Sequence, residues 1–336
     1  MRIASDPWPT GEWRRHLAAA VRDLGELLDE LELDAESLGV RATSAAAHRF
    51  PLRVPRGFIA RMRQGDPDDP LLRQVLPLAV ETDDVNGFSI NPVGEFGLGS
   101  RTGLLAKYYG RALLVATGSC AVHCRYCFRR HFPYDEESSN ERDFSSALRE
   151  IEEGTAIEEV ILSGGDPLML PDARLAALTE DIASIPHVRR LRIHTRLPVV
   201  LPERVDEALV EWLAACQLPV VIVVHANHPR EIDADVKRAL AALEAAGTTQ
   251  LNQAVLLRGI NDSSEVLADL SMRLFDCGVL PYYLHLLDRV AGAAHFEVDE
   301  DRAREIMGDL QARLPGYLVP RLVREVAGAP SKITVK

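Results

Sequence analysis

Three of the chain's five cysteines fall within eight residues, Cys120-Ala-Val-His-Cys124-Arg-Tyr-Cys127, at the spacing C-x3-C-x2-C. Thiolates are soft ligands that select zinc, copper(I) or iron–sulfur clusters, and a cubic four-iron cluster normally takes four of them. Three local thiolates leave one iron open, where a small molecule can bind and receive an electron. The plainer alternative is a structural zinc, or a closed electron-transfer cluster completed by Cys216 or Cys277. A second polar group, Ser163-Gly164-Gly165-Asp166-Pro167, follows an apolar run. Its two glycines let backbone come close to a ligand, although a tight turn with Asp166 as helix cap would use the same residues. Lys332, the fifth residue from the end, reads by sequence physics alone as a solvated charge, because termini are poorly ordered unless tied down.

The elements that must position these groups follow from hydrophobic periodicity. Short apolar or β-branched runs at 112–116, 159–163, 190–194, 219–225, 250–257 and 281–287 alternate with helical stretches at about 142–152, 173–184, 204–214, 230–246, 263–276 and 300–313. Six βα units of this kind predict a parallel sheet, since parallel neighbours need crossover connections. Whether that sheet is open or closed is not written in the periodicity. The polar residues gather just after the strands: Cys120, Ser163 to Asp166, His194 and Arg196, His225 and Asn227, Arg258 and Asn261, and Asp288. In βα barrels that face carries the active site. Upstream, Leu17, Val21, Leu24, Leu27, Leu28 and Leu31 predict one amphipathic helix over 12–33. Residues 1–100 form a mainly helical extension and residues 101–336 the barrel core.

Composition narrows the function. A formal net charge of −12 argues against a nucleic-acid backbone as the main partner, leaving room for a local basic patch such as Arg125, Arg129, Arg130 and His131. No apolar run approaches a membrane span, and the first sixteen residues carry no apolar signal-peptide core. A cytoplasmic protein is expected, and clustered cysteines in odd number suit a reducing compartment and a metal site.

The C-x3-C-x2-C spacing resembles the signature of radical S-adenosylmethionine enzymes, and GGD resembles the segment that there binds the amino group of the cofactor. From about residue 50 to 332 the chain resembles the lysine 2,3-aminomutase family, on GDPDDPLLRQ, GLLAKYYGRALLV, CAVHCRYCFRRHF, LSGGDPL, HANHPREI, LNQAVLLRGIND and PYYLHLLD. The resemblance implies a partial (βα)6 TIM-like barrel holding a [4Fe-4S] cluster on Cys120, Cys124 and Cys127. It implies S-adenosylmethionine against Ser163, Gly164, Gly165, Asp166, His225 and Gln253, and pyridoxal phosphate on Lys332 as an internal Schiff base. Lys107 and Arg111 fall where the family contacts the cofactor phosphate, Arg129 where it pairs with the substrate carboxylate, and Asp288 where an acid holds the distal ammonium. Glu325 stands where free-lysine aminomutases place a second aspartate, and Gly-Ala-Pro-Ser replaces their glycine-rich run before the lysine.

The implied reaction is conversion of L-α-lysine to β-lysine: a 5′-deoxyadenosyl radical takes a β-hydrogen, nitrogen migrates through the cofactor imine, and the hydrogen returns. The end four residues after Lys332, the PSK motif and FRRHFPY resemble the branch dedicated to elongation factor P, whose enzyme makes (R)-β-lysine for a separate ligase. An electron donor such as flavodoxin or ferredoxin is then required. A free β-lysine producer or another amino-acid 2,3-aminomutase shares the motifs. A glutamate-type substrate is disfavoured by acids at Asp288 and Glu325. A radical enzyme without pyridoxal phosphate leaves Lys332 idle, and a non-catalytic iron–sulfur module is the alternative from another class.

Overall fold

The computed structural model describes residues 6–34, 44–98, 102–137 and 143–336. The β-branched runs assemble into one sheet whose strands lie side by side in chain order. They are β1 (Leu104–Tyr108), β2 (Arg111–Thr117), β3 (Glu159–Gly164), β4 (Arg190–Thr195), β5 (Val220–Val224), β6 (Thr249–Val255), β7 (Val279–His285), β8 (Arg321–Arg324) and β9 (Ile333–Thr334). From β2 to β8 every neighbour is parallel, whereas β1 and β9 add antiparallel edges. All six strands expected from periodicity are present, and β8 adds a seventh parallel member. β8 and β9 are too short to show a period, and β1, set off from β2 by the Tyr109-Gly110 turn, lies outside the first run expected at 112–116.

Each parallel connection from β3 onward carries a helix, as the strand geometry demands. The barrel helices, numbered after α1 (Trp13–Ala18) and α2 (Leu24–Glu30), are α3 (Ser145–Glu153), α4 (Asp172–Ser184), α5 (Glu207–Ala215), α6 (Ala234–Ala245), α7 (Ser264–Phe275) and α8 (Glu300–Arg313). Asp206, Asp233, Ser263 and Asp299 cap the last four by accepting from backbone N–H groups, each cap contributing roughly 1 kcal/mol. Strand alternation separates the two faces. Val160 and Leu162 of β3 join the hydrophobic cluster of Leu175 and Leu178 in α4, while Ile161 and Ser163 face the lumen.

The sheet does not close on itself through backbone. Its two ends are instead bridged by side chains: the Tyr108 hydroxyl donates to Glu325 Oε1 at 2.5 Å, and Lys107 Nζ lies 3.6 Å from the same oxygen. The single helix expected over 12–33 is broken into α1 and α2. Val21 leaves helical geometry to exchange both backbone hydrogen bonds with Val54, each 2.9 Å, and Asp23 restarts the helix as an N-cap. The extension also shares the barrel's core, since Trp13, Leu27, Phe58 and Leu71 belong to the same buried cluster as Leu114, Leu162 and Val224. Polar ties cross the same seam. Arg61 donates to the carbonyls of Val199 and Glu231, both at 2.7 Å, and Arg230 pairs with Asp69 at 2.5 Å.

Candidate active site

At the C-terminal ends of the parallel strands lies a cavity of about 320 Å³ lined by every site residue expected from sequence. Cys120, Cys124 and Cys127 occupy the loop after β2, and burial pushes the Cys120 thiol well up and that of Cys127 to about 11, each thiol raised further by its neighbours. Cys216 and Cys277 do not line this cavity; the first follows α5 and the second follows α7. Neither can complete the cysteine set without rearranging the barrel wall. Beside Cys120, Cys124 and Cys127 no fourth cysteine lines the cavity, so a four-thiolate zinc or closed-cluster set is not assembled there.

The end of β3 is pressed against this loop. A Cβ on Gly164 (φ +119°) would sit 2.5 Å from the Thr117 carbonyl oxygen, and one on Gly165 would sit 2.4 Å from that of Ser119. Both glycines are therefore required by backbone packing, which also lets Gly165 N donate to Thr117 and Asp166 N to Ser119 at 2.7 and 2.8 Å. The Asp166 carboxylate accepts from the Leu168, Arg196 and Leu197 amides and from the Thr195 hydroxyl. Burial nevertheless lifts it to about 6. Its carboxylate thus fills the helix-cap role, locking the β3 and β4 ends together.

Sequence reasoning missed the buried polar network behind the cysteines. Arg196 donates to Cys124 Sγ at 2.6 Å, to Gln74 Oε1 at 2.6 Å and to Glu231 Oε2 at 3.0 Å. Asn227 Nδ2 donates to the Tyr126 hydroxyl and to Gln74 Oε1 at 2.7 and 3.0 Å, and the Tyr126 hydroxyl lies 3.2 Å from His225 Nε2. Burial, with Arg196 nearby, lowers His225 to about 3, so it is a neutral acceptor or donor. Gln253 lines the same wall one strand on. The basic patch expected at Arg125, Arg129 and Arg130 is not a surface patch. Arg125 and Arg130 both pair with the buried Glu81, at 2.6 and 2.8 Å, while Arg129 pairs with Glu95. His131 contacts the Ala291 carbonyl.

Arg129 was expected to meet a substrate carboxylate and instead holds an internal one. Its Nε and Nη2 donate to the two Glu95 oxygens at 2.7 and 3.1 Å, and its Nη1 donates to Ser163 Oγ at 3.0 Å. Glu95 also receives Lys107 Nζ at 2.8 Å. Glu325, expected at the distal ammonium, is likewise taken: Lys332 Nζ donates to its Oε2 at 2.5 Å. Arg129, Glu95, Lys107, Glu325 and Lys332 thus alternate in charge along one wall. Arg111 stacks its guanidinium 5.3 Å from the Tyr108 ring beside them. Asp288 lines the same cavity near them, and burial plus the neighbouring Glu325 lift it to about 7.

Lys332 reaches the cavity because the tail is tied down. β9 pairs Ile333 with Arg324 and Thr334 with Val323, Val335 N donates to the Leu322 carbonyl at 3.0 Å, and Arg304 Nε donates to the Lys336 carbonyl at 2.7 Å. Continuing that register by one pair sets Lys332 opposite Glu325.

A sequentially ordered parallel sheet with an open seam and a three-cysteine loop at its mouth defines the radical S-adenosylmethionine class, and the Radical SAM superfamily model matches residues 114–270. Within it, the chain is 51% identical over 321 residues to the L-lysine 2,3-aminomutase of Escherichia coli, covering 96% of this chain and 93% of that one. It is 47% identical to the enzyme of the same name from Haemophilus influenzae (95% and 94% covered) and 42% to that of Buchnera aphidicola (96% and 95%). The chain belongs to the L-lysine 2,3-aminomutase family.

Membership implies a [4Fe-4S] cluster, S-adenosylmethionine and pyridoxal phosphate, and the residues fit them. Three thiols, with no fourth cysteine in the cavity, suit a cluster with one open iron. A lysine amine on an ordered strand, with two cationic side chains across the seam, suits a carbonyl cofactor bearing a phosphate.

Proposed function

We propose that this chain is a lysine 2,3-aminomutase that makes (R)-β-lysine destined for elongation factor P. The observation that carries the reading is the meeting of Cys120, Cys124 and Cys127 with Lys332 on the walls of one cavity, although they lie over two hundred residues apart. When bound, the cluster and S-adenosylmethionine supply a hydrogen-abstracting radical, and pyridoxal phosphate supplies a conjugated carbonyl through which nitrogen can migrate.

The protein's own contribution is placement. Cys120, Cys124 and Cys127 hold the cluster, with Arg196 steadying Cys124; Ser163, the Gly164-Gly165-Asp166 backbone, His225 and Gln253 line the space for S-adenosylmethionine. Lys332 anchors pyridoxal phosphate, and Lys107 and Arg111 meet its phosphate. Glu325 accepts from the Lys332 amine at 2.5 Å and holds it at the cavity wall, and that ammonium in turn keeps the Glu325 carboxyl below the usual carboxylate range, so the pair must part before Lys332 attacks a carbonyl. Asp288 meets the distal ammonium of lysine. Arg129 meets the α-carboxylate through the Nη2 edge it shares with Glu95, or by exchanging Glu95 for it.

An external donor of the flavodoxin or ferredoxin kind supplies the electron, and the site of action is the cytoplasm. Among the described residues no helix is long and apolar enough to cross a membrane. The test is incubation of reduced enzyme with S-adenosylmethionine and free lysine, with chiral separation of the products. (R)-β-lysine, lost in Lys332→Ala together with the bound chromophore, is expected. No β-lysine from an enzyme carrying both cofactors would reject the reading.

A further inference from the structure

Two imidazoles in the lumen are used by none of the contacts above. His194 lies next to the end of β4 and His285 closes β7, and both line the cavity with Lys332. Strand alternation puts His194 on the inner face with Arg192, between the buried Ile193 and Thr195. His285 pairs in register with Val323, two residues before Glu325. The Nε2 atoms of both rings are buried and have no hydrogen-bond partner among the described residues. Buried polar atoms in native proteins are nearly always partnered, and the exceptions cluster where a ligand supplies the partner. Burial lowers both imidazoles, His285 to about 3, and the Lys332 ammonium lowers both further. Each ring is neutral, offering one N–H and one lone pair.

We propose that His194 and His285 hold the pyridine ring of the cofactor carried by Lys332, hydrogen-bonding its ring nitrogen and its 3-hydroxyl oxygen through Nε2. The inference rests on the functional reading above. Other occupants suit the pair less well. A phosphate prefers the cationic Lys107 and Arg111 across the seam, and an ammonium prefers Asp288. A metal ion lacks a third ligand there, since no three ligating side chains converge among the described residues. A neutral imidazole N–H can donate to an unprotonated pyridine nitrogen, whereas the carboxylate that commonly pairs with that nitrogen stabilises its protonated form. These partners therefore weaken the ring's pull on electrons at the substrate α-carbon and disfavour loss of the α-proton.

The test is titration of pyridoxal phosphate into the wild type, His194→Phe, His285→Phe and the corresponding glutamine variants, without S-adenosylmethionine or reductant. Phenylalanine keeps much of the ring volume but no polar atom. Each phenylalanine variant should bind the cofactor about 2- to 10-fold more weakly, the range for one net hydrogen bond, with a shifted absorption band, and glutamine should recover part of both. Wild-type affinity and band in both phenylalanine variants would overturn the inference, as would glutamine variants no better than phenylalanine. In wild-type protein labelled with 15N-histidine, cofactor addition should shift two imidazole resonances. No shift overturns the proposal whatever the variants' folding. A wild type forming no chromophore dependent on Lys332 rejects the functional reading and the inference together, whereas a normal chromophore with indifferent histidines rejects the inference alone.

Discussion

Glu95→Ala removes the carboxylate that two buried or half-buried cations share, and its cost follows from the geometry. The Glu95 and Arg129 side chains are each only 5% exposed and lie 2.7 Å apart, with Lys107 Nζ at 2.8 Å. Burial alone would raise the Glu95 carboxyl, yet Arg129, and then Lys107, pull it from 4.5 down to about 2. At about 1.4 kcal/mol per pH unit that displacement is worth roughly 3 kcal/mol, within the ~3–5 kcal/mol typical of stripping one partner from a buried ion pair. Because the folded value lies below the unfolded one, the stabilisation is complete above the unfolded value of 4.5 and is lost as pH falls toward about 2. Urea unfolding of wild type and variant, followed by circular dichroism from neutral pH down to about pH 3, should show a gap of roughly 3 kcal/mol that narrows only below about pH 4.5. A gap under about 1 kcal/mol at neutral pH, or one that does not narrow in acid, would refute the burial argument. Glu95→Gln, which keeps the shape and one acceptor, should fall between the two.

Three further outcomes are expected. Cys216→Ala and Cys277→Ala should each keep the full iron content and the visible spectrum of the wild type, because neither thiol reaches the cavity; iron loss in either would restore the closed-cluster alternative. Asp288→Asn should raise the lysine requirement by on the order of 10²–10³ while both cofactors stay bound. Since Asp288 titrates near about 7, its carboxylate form grows as pH rises, so wild-type kcat/KM for lysine should climb through that region and the asparagine variant should not. Glu325→Gln should speed covalent capture of pyridoxal phosphate, measured by stopped-flow absorbance, and change lysine KM less, because the carboxylate that pairs with the Lys332 ammonium at 2.5 Å is gone; a larger effect on lysine KM than on capture would return Glu325 to the distal ammonium.

Local signals were strong wherever chemistry demands adjacency. Three cysteines on one loop, a glycine pair at a strand end and six apolar runs at βα spacing are short-range patterns, so the candidate soft-metal loop and the parallel sheet could be read from residues alone. The long helix expected over 12–33 failed because Val21 and Val54, far apart in sequence, trade backbone hydrogen bonds that outweigh helical propensity. Lys332 had no signal of its own. A two-residue strand, meaningless by periodicity, orders it through pairing with β8.

Charge partners were the least legible feature. Arg129 and Glu95, like Lys332 and Glu325, carry opposite charges whose pairing depends on where the seam of the sheet brings its two edges. Sequence fixes neither the curvature of that sheet nor the distance across it. The residue types and their strand positions already gathered the polar groups at one face of a parallel sheet, while the cofactors they serve came from the resemblance to lysine 2,3-aminomutases. Only the tertiary structure decided which carboxylate meets which cation, because a Coulomb interaction depends on separation and burial, and both are set by packing between segments distant in the chain.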